Sequence, residues 1–178
     1  IWSAFAEAAA TAAQYLEDGH FALDRMSSAY ALAATAGASP GAAMALHVAL
    51  ALGVSVAIAF VATRPWPNRI RLGAALLGAP AISPYLYAYD LTVMIVGLAV
   101  LAPEIAARTG AATRALLLAL VWCATGQSFA VGLVAGKAAE GEVRLALGAA
   151  GYLAVLALAA AILARPTRAA AEGRTVSG

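Results

Sequence analysis

The chain has 178 residues, 63% of them hydrophobic and 11% charged, with a mean hydropathy of +0.86. Those proportions exclude an ordinary soluble domain and lead us to expect an integral membrane protein. A net charge of +2 from scattered basic residues excludes the basic stripe of a nucleic-acid binder. The lone Cys123 provides neither an intrachain disulfide nor a cysteine-based metal site.

The chain opens at Ile1 without the basic, apolar and small-residue succession of a signal peptide, and it reads as the later part of a longer polypeptide. Residues 1–40 are its less hydrophobic part. Trp2, Phe5, Ala9, Ala13 and Leu16 recur at helical spacing, with Glu7, Thr11 and Gln14 on other faces. This pattern predicts an amphipathic helix lying on the membrane surface. Glu17-Asp18-Gly19-His20 reads as a turn with a solvated histidine. A second short helix is expected from about Leu23 to Ala36, stopped by Gly37 and Pro40.

Residues 41–164 are expected to form an all-α transmembrane bundle of about five spanning helices. Gly41 to Ala62 is interrupted only by His47 and Ser55 and reaches roughly 33 Å as a helix, enough to cross a bilayer. Arg64-Pro-Trp-Pro-Asn-Arg69 follows as a rigid basic turn with an interfacial tryptophan. Ile70 opens a second apolar run that Pro80 and Pro84 cut short. Proline removes a backbone donor and clashes with the preceding turn, so the helix should bend and then break near the membrane surface. Such a break is tolerated only where protein or a water-filled cavity receives the freed backbone groups. The third run, Leu91 to Ala102, reaches spanning length only if its helix starts back at about Pro84 or Tyr85, which would put Asp90 more than a turn inside it. A fourth run, Ala111 to Gly136, carries Gln127 and Ser128 in its middle, and a fifth runs from Val143 to Ala164. Residues 165–178 read as a disordered cytoplasmic tail.

Five spans would gather Arg64, Arg69, Arg71, Arg108, Arg114, Arg165, Arg168 and Arg174 on one side, eight of the eleven basic residues, leaving Arg25, Lys137 and Arg144 on the other. The positive-inside rule makes the first side cytoplasmic, so the amphipathic segment, the Tyr85 to Asp90 break and the Lys137 to Glu142 loop face outward. Small residues throughout, Gly132 and Gly136 among them, suit close helix packing.

Asp90 is the foremost candidate for chemistry, because an ionisable group within a span is costly and by default faces a cavity or a partner. The competing reading makes it an N-cap, receiving backbone N–H groups at the start of Leu91-Thr-Val-Met. Tyr85, Tyr87 and Tyr89 alternate and can stack on sugar rings or hydrogen-bond to a phosphate; an interfacial aromatic belt is the alternative, above all for Tyr87. His47 needs a polar partner inside its span, either a ligand or another helix. Gln127 and Ser128 read as interhelical glue. The two histidines give no metal-binding spacing, no cofactor is identified, and glycine-rich nucleotide loops and a G-x-S-x-G elbow are absent.

Leu23-Asp-Arg-Met-Ser-Ser-Ala-Tyr30, Arg71-Leu-Gly-Ala-Ala-Leu-Leu77 and above all Ser83-Pro-Tyr-Leu-Tyr-Ala-Tyr-Asp-Leu91 resemble the C-terminal half of glycosyltransferase family 87 over roughly residues 20–105. The resemblance implies a GT-C-like multi-pass enzyme of the cell (inner) membrane. Such an enzyme transfers a mannose-like hexose from a polyprenyl-phosphate donor to a glycan or glycolipid acceptor at the extracytoplasmic surface. It carries Asp90, Tyr85 and Tyr89 over as substrate-binding residues, to which His47 is added as a candidate. The family's general base resembles an outer-loop aspartate that would precede Ile1, so the fragment is expected to be inactive alone. Two other classes compete. A transporter would place a broken helix and its carboxylate at the bilayer midplane, and a non-catalytic membrane subunit would be indifferent to Asp90.

Overall fold

The computed structural model describes residues 2–18, 20–135 and 145–166. The elements among them are helical: α1 (Trp2–Glu17), α2 (Ala29–Thr35), α3 (Pro40–Thr63), α4 (Asn68–Gly78), α5 (Thr92–Arg108), α6 (Ala111–Ala135) and α7 (Leu147–Leu163). Short 3₁₀ turns cover Leu23–Arg25, Ala79–Ile82 and Ala88–Leu91. No strand forms among the described residues beyond an isolated antiparallel bridge between Met26 and Tyr87.

The first helix forms where its spacing predicts, with Leu16 buried and Trp2 exposed. The side chains of Phe5, Ala9 and Ala13, expected on the same stripe, lie outside the described ones. The single helix expected from Leu23 to Ala36 is in fact divided. After the Leu23–Arg25 turn the chain extends, Met26 bridges to Tyr87, and the Ser27 N–H donates to the Leu86 carbonyl at 2.6 Å. Ser28 then caps α2, its Oγ accepting from the Ala31 N–H at 3.2 Å. A long-range backbone pair has displaced one turn of helix. The predicted stop holds: Gly37 has φ +96°, and the Gly37 and Ala38 N–H groups return to the Ala34 and Ala33 carbonyls, a left-handed C-terminal cap.

Ser39 caps α3 and Pro40 occupies its first turn, where a missing N–H costs nothing. The helix has 24 residues, or about 36 Å, and a mean hydropathy of 2.3. Almost none of it is covered by the rest of the protein, and Leu46, Leu52, Val56 and Phe60 stand exposed. The 3₁₀ turn at Ala88 runs directly into α5, so Ala88–Arg108 is a continuous helix of 21 residues with hydropathy 1.8. These two helices are long and apolar enough to cross a membrane. The apolar α7 is shorter, at 17 residues.

The expected start of the third run at Pro84 or Tyr85 is corrected: Pro84 and Tyr85 form a turn and helix begins only at Ala88. α4 returns beside α3 and is short. Its 11 residues and the four-residue 3₁₀ extension cover about 25 Å, some 11 Å less than α3. The chain therefore breaks beside His47, which lies roughly 10 Å inside the N-terminal end of α3.

Two apolar clusters hold the helices. One joins α4 to α7 through Leu77, Leu91, Met94, Leu101, Tyr152 and Val155. The other joins α1, α2 and the segment between them to the beginnings of α3 and α7 through Leu16, Met26, Tyr30, Ala43 and Ala149. Close approach depends on glycine. A Cβ on Gly97 of α5 would lie 2.7 Å from the Leu77 N atom of α4, and one on Gly151 of α7 would lie 2.8 Å from the Ala124 N atom of α6. The expected Gly136 lies outside the described residues, as do the surroundings of Gly132. Arg64, Arg69, Arg71, Arg108, Arg114 and Arg165 fall at one end of the helices, whereas Asp24, Arg25 and Asp90 fall at the other. The Lys137 to Glu142 loop and most of the expected tail lie outside the described residues.

Candidate functional site

Pro80 creates the break from which the site is built. Without an N–H it cannot complete a 3₁₀ bond to the Leu77 carbonyl, and that carbonyl instead accepts from the buried Tyr152 hydroxyl at 2.9 Å. At the other end of the 3₁₀ segment the Ile82 carbonyl meets Nε2 of His47 at 3.2 Å. A carbonyl only accepts, so Nε2 carries the proton. His47 is 2% exposed, and its Nδ1 has no partner among the described residues. The interhelical alternative for His47 thus has a definite partner, one that ties the broken end of α4 to α3.

Beyond Ile82 the chain turns at Pro84 and Tyr85, with Ser83 Oγ accepting from the Tyr85 N–H at 3.2 Å. Leu86 is buried, and its carbonyl takes the Ser27 N–H. The segments Leu23–Tyr30 and Ser83–Leu91, distant in sequence, are therefore joined backbone to backbone. Tyr85 leans on Phe21, with ring centroids 5.7 Å apart, and packs against the cluster around Met26 and Tyr30. Tyr87 and Tyr89 stack in parallel, 5.6 Å apart and 3° from coplanar, and Tyr89 is 73% exposed. Burial, followed by the neighbouring Tyr89, raises the Tyr87 phenol above its ordinary pKa against the pull of Arg25, so Tyr87 remains a neutral donor at neutral pH.

Asp90 is where the structure departs furthest from expectation. It lies in the first turn of its helix and is exposed, rather than deep within a span. It also caps in the direction opposite to that expected. Its Oδ2 reaches back to accept the Tyr87 N–H at 3.0 Å, while the Asp90 N–H donates to the Tyr87 carbonyl at 3.0 Å. This is the reciprocal half of a capping box, with the carboxylate at the third helical position. The arrangement leaves Oδ1 without a protein partner among the described residues.

Asp90, Tyr89 and Ser83 share an open cavity of about 590 Å³ floored by Pro80, Leu86 and Val93. Tyr85 and His47 do not line it. The cavity offers a carboxylate acceptor, a serine hydroxyl and an exposed phenol ring above an apolar floor. That combination suits an amphiphile whose polar part carries hydroxyl groups. Among the described residues no cluster of His, Cys, Asp and Glu is assembled that could hold a metal ion.

Sequence reading missed two groups. Tyr152 gives no local signal, because its partner is a carbonyl orphaned by a proline 72 positions earlier. Glu104 is buried at the opposite end from Asp90. Its Oε1 accepts from Arg69 Nε at 2.5 Å, its Oε2 pairs with Arg108, and Arg108 Nε donates onward to the Arg165 carbonyl at 3.1 Å. The four-residue spacing of Glu104 and Arg108 on one helix face would have shown half of that network. Gln127 behaves as the expected glue: its Oε1 takes the Gly148 N–H and its Nε2 reaches the Asp24 carbonyl at 3.4 Å. The Ser128 side chain lies outside the described ones. Comparison with protein-family models, with curated proteins and with solved structures gives no match.

Proposed function

We propose that the chain is part of a multi-pass inner-membrane hexosyltransferase of about five spans, which takes a mannose-like sugar from a polyprenyl-phosphate carrier at the outer surface and passes it to a glycan or glycolipid acceptor. One observation carries this reading. Two of the segments that carry the resemblance, Leu23–Tyr30 and Ser83–Leu91, come together through the Ser27–Leu86 hydrogen bond and the Met26–Tyr87 bridge, and the second of them walls the cavity that holds Asp90. In this reading Oδ1 of Asp90 accepts a sugar hydroxyl, the Tyr89 ring lies against the sugar face, and Leu86 and Val93 receive the start of the lipid. Displacement at the anomeric carbon releases the polyprenyl phosphate. This chain contributes positioning and charge stabilisation, while the general base belongs to the upstream part of the polypeptide. The siting of the break at the end of α4, beside the first third of α3, also favours a transferase over a midplane transporter site.

The test replaces Asp90 in the full-length protein and follows transfer from a radiolabelled polyprenyl-phosphate sugar by membranes holding equal amounts of each variant. Asp90→Asn retains an oxygen for the Tyr87 N–H, so it should fold normally and lose transfer. Asp90→Ala should lose, in addition, about 1 kcal/mol of capping. Wild-type transfer by Asp90→Asn would leave the carboxylate with its capping role alone and sink the proposal.

A further inference from the structure

The opposite end of the bundle carries a second feature that sugar transfer does not use. A cavity of about 540 Å³ runs between α3, α4 and α7, walled by Val54, Ile58, Leu77, Leu156 and Ala160 among others. Its lining is almost wholly apolar. A smaller cavity of about 210 Å³ lies at the arginine-rich end against Glu104 and Arg108. Trp66 and Leu163 line both cavities, so the apolar groove meets the charged pocket at a shared wall.

The charge there is unbalanced. Arg64, Arg69, Arg71, Arg108, Arg114 and Arg165 fall at this end, and Glu104 is the only carboxylate among the described residues there. Glu104 uses only Nε of Arg69, whose side chain is 54% exposed, so the terminal nitrogens of Arg69 have no partner among the described residues. Arg64 caps the end of α3, its guanidinium 4.4 Å above the Phe60 ring. A neighbouring apolar helix would fill the groove and offer nothing to these arginines. A free anion held by the exposed arginines would leave the groove empty. Arg69 and Arg64 line neither cavity, but Arg69 bonds the Glu104 that walls the small pocket and Arg64 lies two residues before Trp66, so the groove with these exposed guanidiniums at its end fits a molecule with an apolar tail and an anionic head. We propose that this end of the bundle binds an anionic phospholipid of the surrounding bilayer, its acyl chain in the α3–α4–α7 groove and its phosphate at Arg69 and Arg64. Basic pockets between helices on the cytoplasmic side are the usual setting for such recognition. The proposal rests on the membrane placement given above and is independent of the transferase reading.

Trp66 provides the probe. With Trp2 and Trp122 replaced by phenylalanine, the protein is reconstituted in vesicles containing phosphatidylglycerol or phosphatidylcholine brominated on the acyl chain. Brominated phosphatidylglycerol should quench Trp66 fluorescence at a lower mole fraction than brominated phosphatidylcholine. Arg69→Gln and Arg64→Gln should each reduce that preference about fivefold. Arg64 is exposed at a helix end, so its replacement tests the site without endangering the fold. A companion protein retaining only Trp122, which is 65% exposed on α6, should be quenched equally by both lipids. Equal quenching of Trp66 by the two lipids would overturn the anionic site. Quenching of Trp122 without quenching of Trp66 would show that a helix or a second copy covers the groove, and would overturn it too. Absence of quenching at both tryptophans would refute the membrane placement itself.

Discussion

Replacing Tyr152 with phenylalanine removes one hydroxyl and leaves the ring, which is 1% exposed, in place. That hydroxyl donates to the Leu77 carbonyl at 2.9 Å and also pairs with the Ala81 backbone, and Pro80 is the reason the carbonyl needs an outside donor. Loss of the hydroxyl leaves a buried acceptor unpaired, so Tyr152→Phe should cost about 1–3 kcal/mol. The explanation makes a sharper demand in the Pro80→Ala background. Alanine restores an N–H at the position that reaches Leu77 in 3₁₀ geometry, so the same Tyr152→Phe change should cost about 0.5 kcal/mol or less there, a coupling near 1 kcal/mol. Unfolding of the four proteins in mixed micelles, titrated with a denaturing detergent and followed by circular dichroism, measures the cycle. Equal costs in the two backgrounds would refute the link between Pro80 and Tyr152. No cost in either would show that the carbonyl finds another donor.

Gly97→Ala should destabilise by about 1–3 kcal/mol in the same titration, because its Cβ would meet backbone of α4 that can yield only by moving a helix. Gly53→Ala, with open space around its Cβ, serves as the control and should show no loss. Gln127→Leu removes the acceptor of the Gly148 N–H, so hydrogen exchange at that amide should quicken roughly tenfold or more. Unchanged exchange would mean that Gln127 does not hold the start of α7.

What was legible in the sequence was local. The extent of α3 follows from an apolar run bounded by Ser39-Pro40 and Arg64-Pro65, and Gly37 marks a left-handed cap that side chains rarely adopt. Pro80 announced a break. What the sequence could not show depends on partners far along the chain. Met26 and Ser27 leave a good helical context because Leu86 and Tyr87 offer backbone groups to pair with. The sequence leaves Asp90 open between a group within a span and a helix N-cap because no local rule fixes the start of helix at Ala88, and a start there makes it an exposed cap. The small-residue pattern is too common in an alanine-rich chain to indicate which glycines touch, and the close interhelical contacts fall at Gly73, Gly78, Gly97, Gly148 and Gly151. Of the three alternating tyrosines only Tyr89 reaches the cavity, since the alternation ends once the segment coils into a 3₁₀ turn.

The shortness of α4 has a consequence for the lipid beside it. A bilayer adjoining α3 meets about 36 Å of helix, whereas beside α4 and its 3₁₀ extension it meets about 25 Å before the chain turns aside. Lipid matches a short wall by thinning, at a modest cost for each ångström of mismatch. A leaflet at that end would therefore dip at Ser83 and Asp90, bringing its headgroups and their water down to the level of the cavity. Under the transferase proposed above, a sugar tethered to a long isoprenoid would enter laterally along this depression, its phosphate hydrated throughout and its tail still immersed.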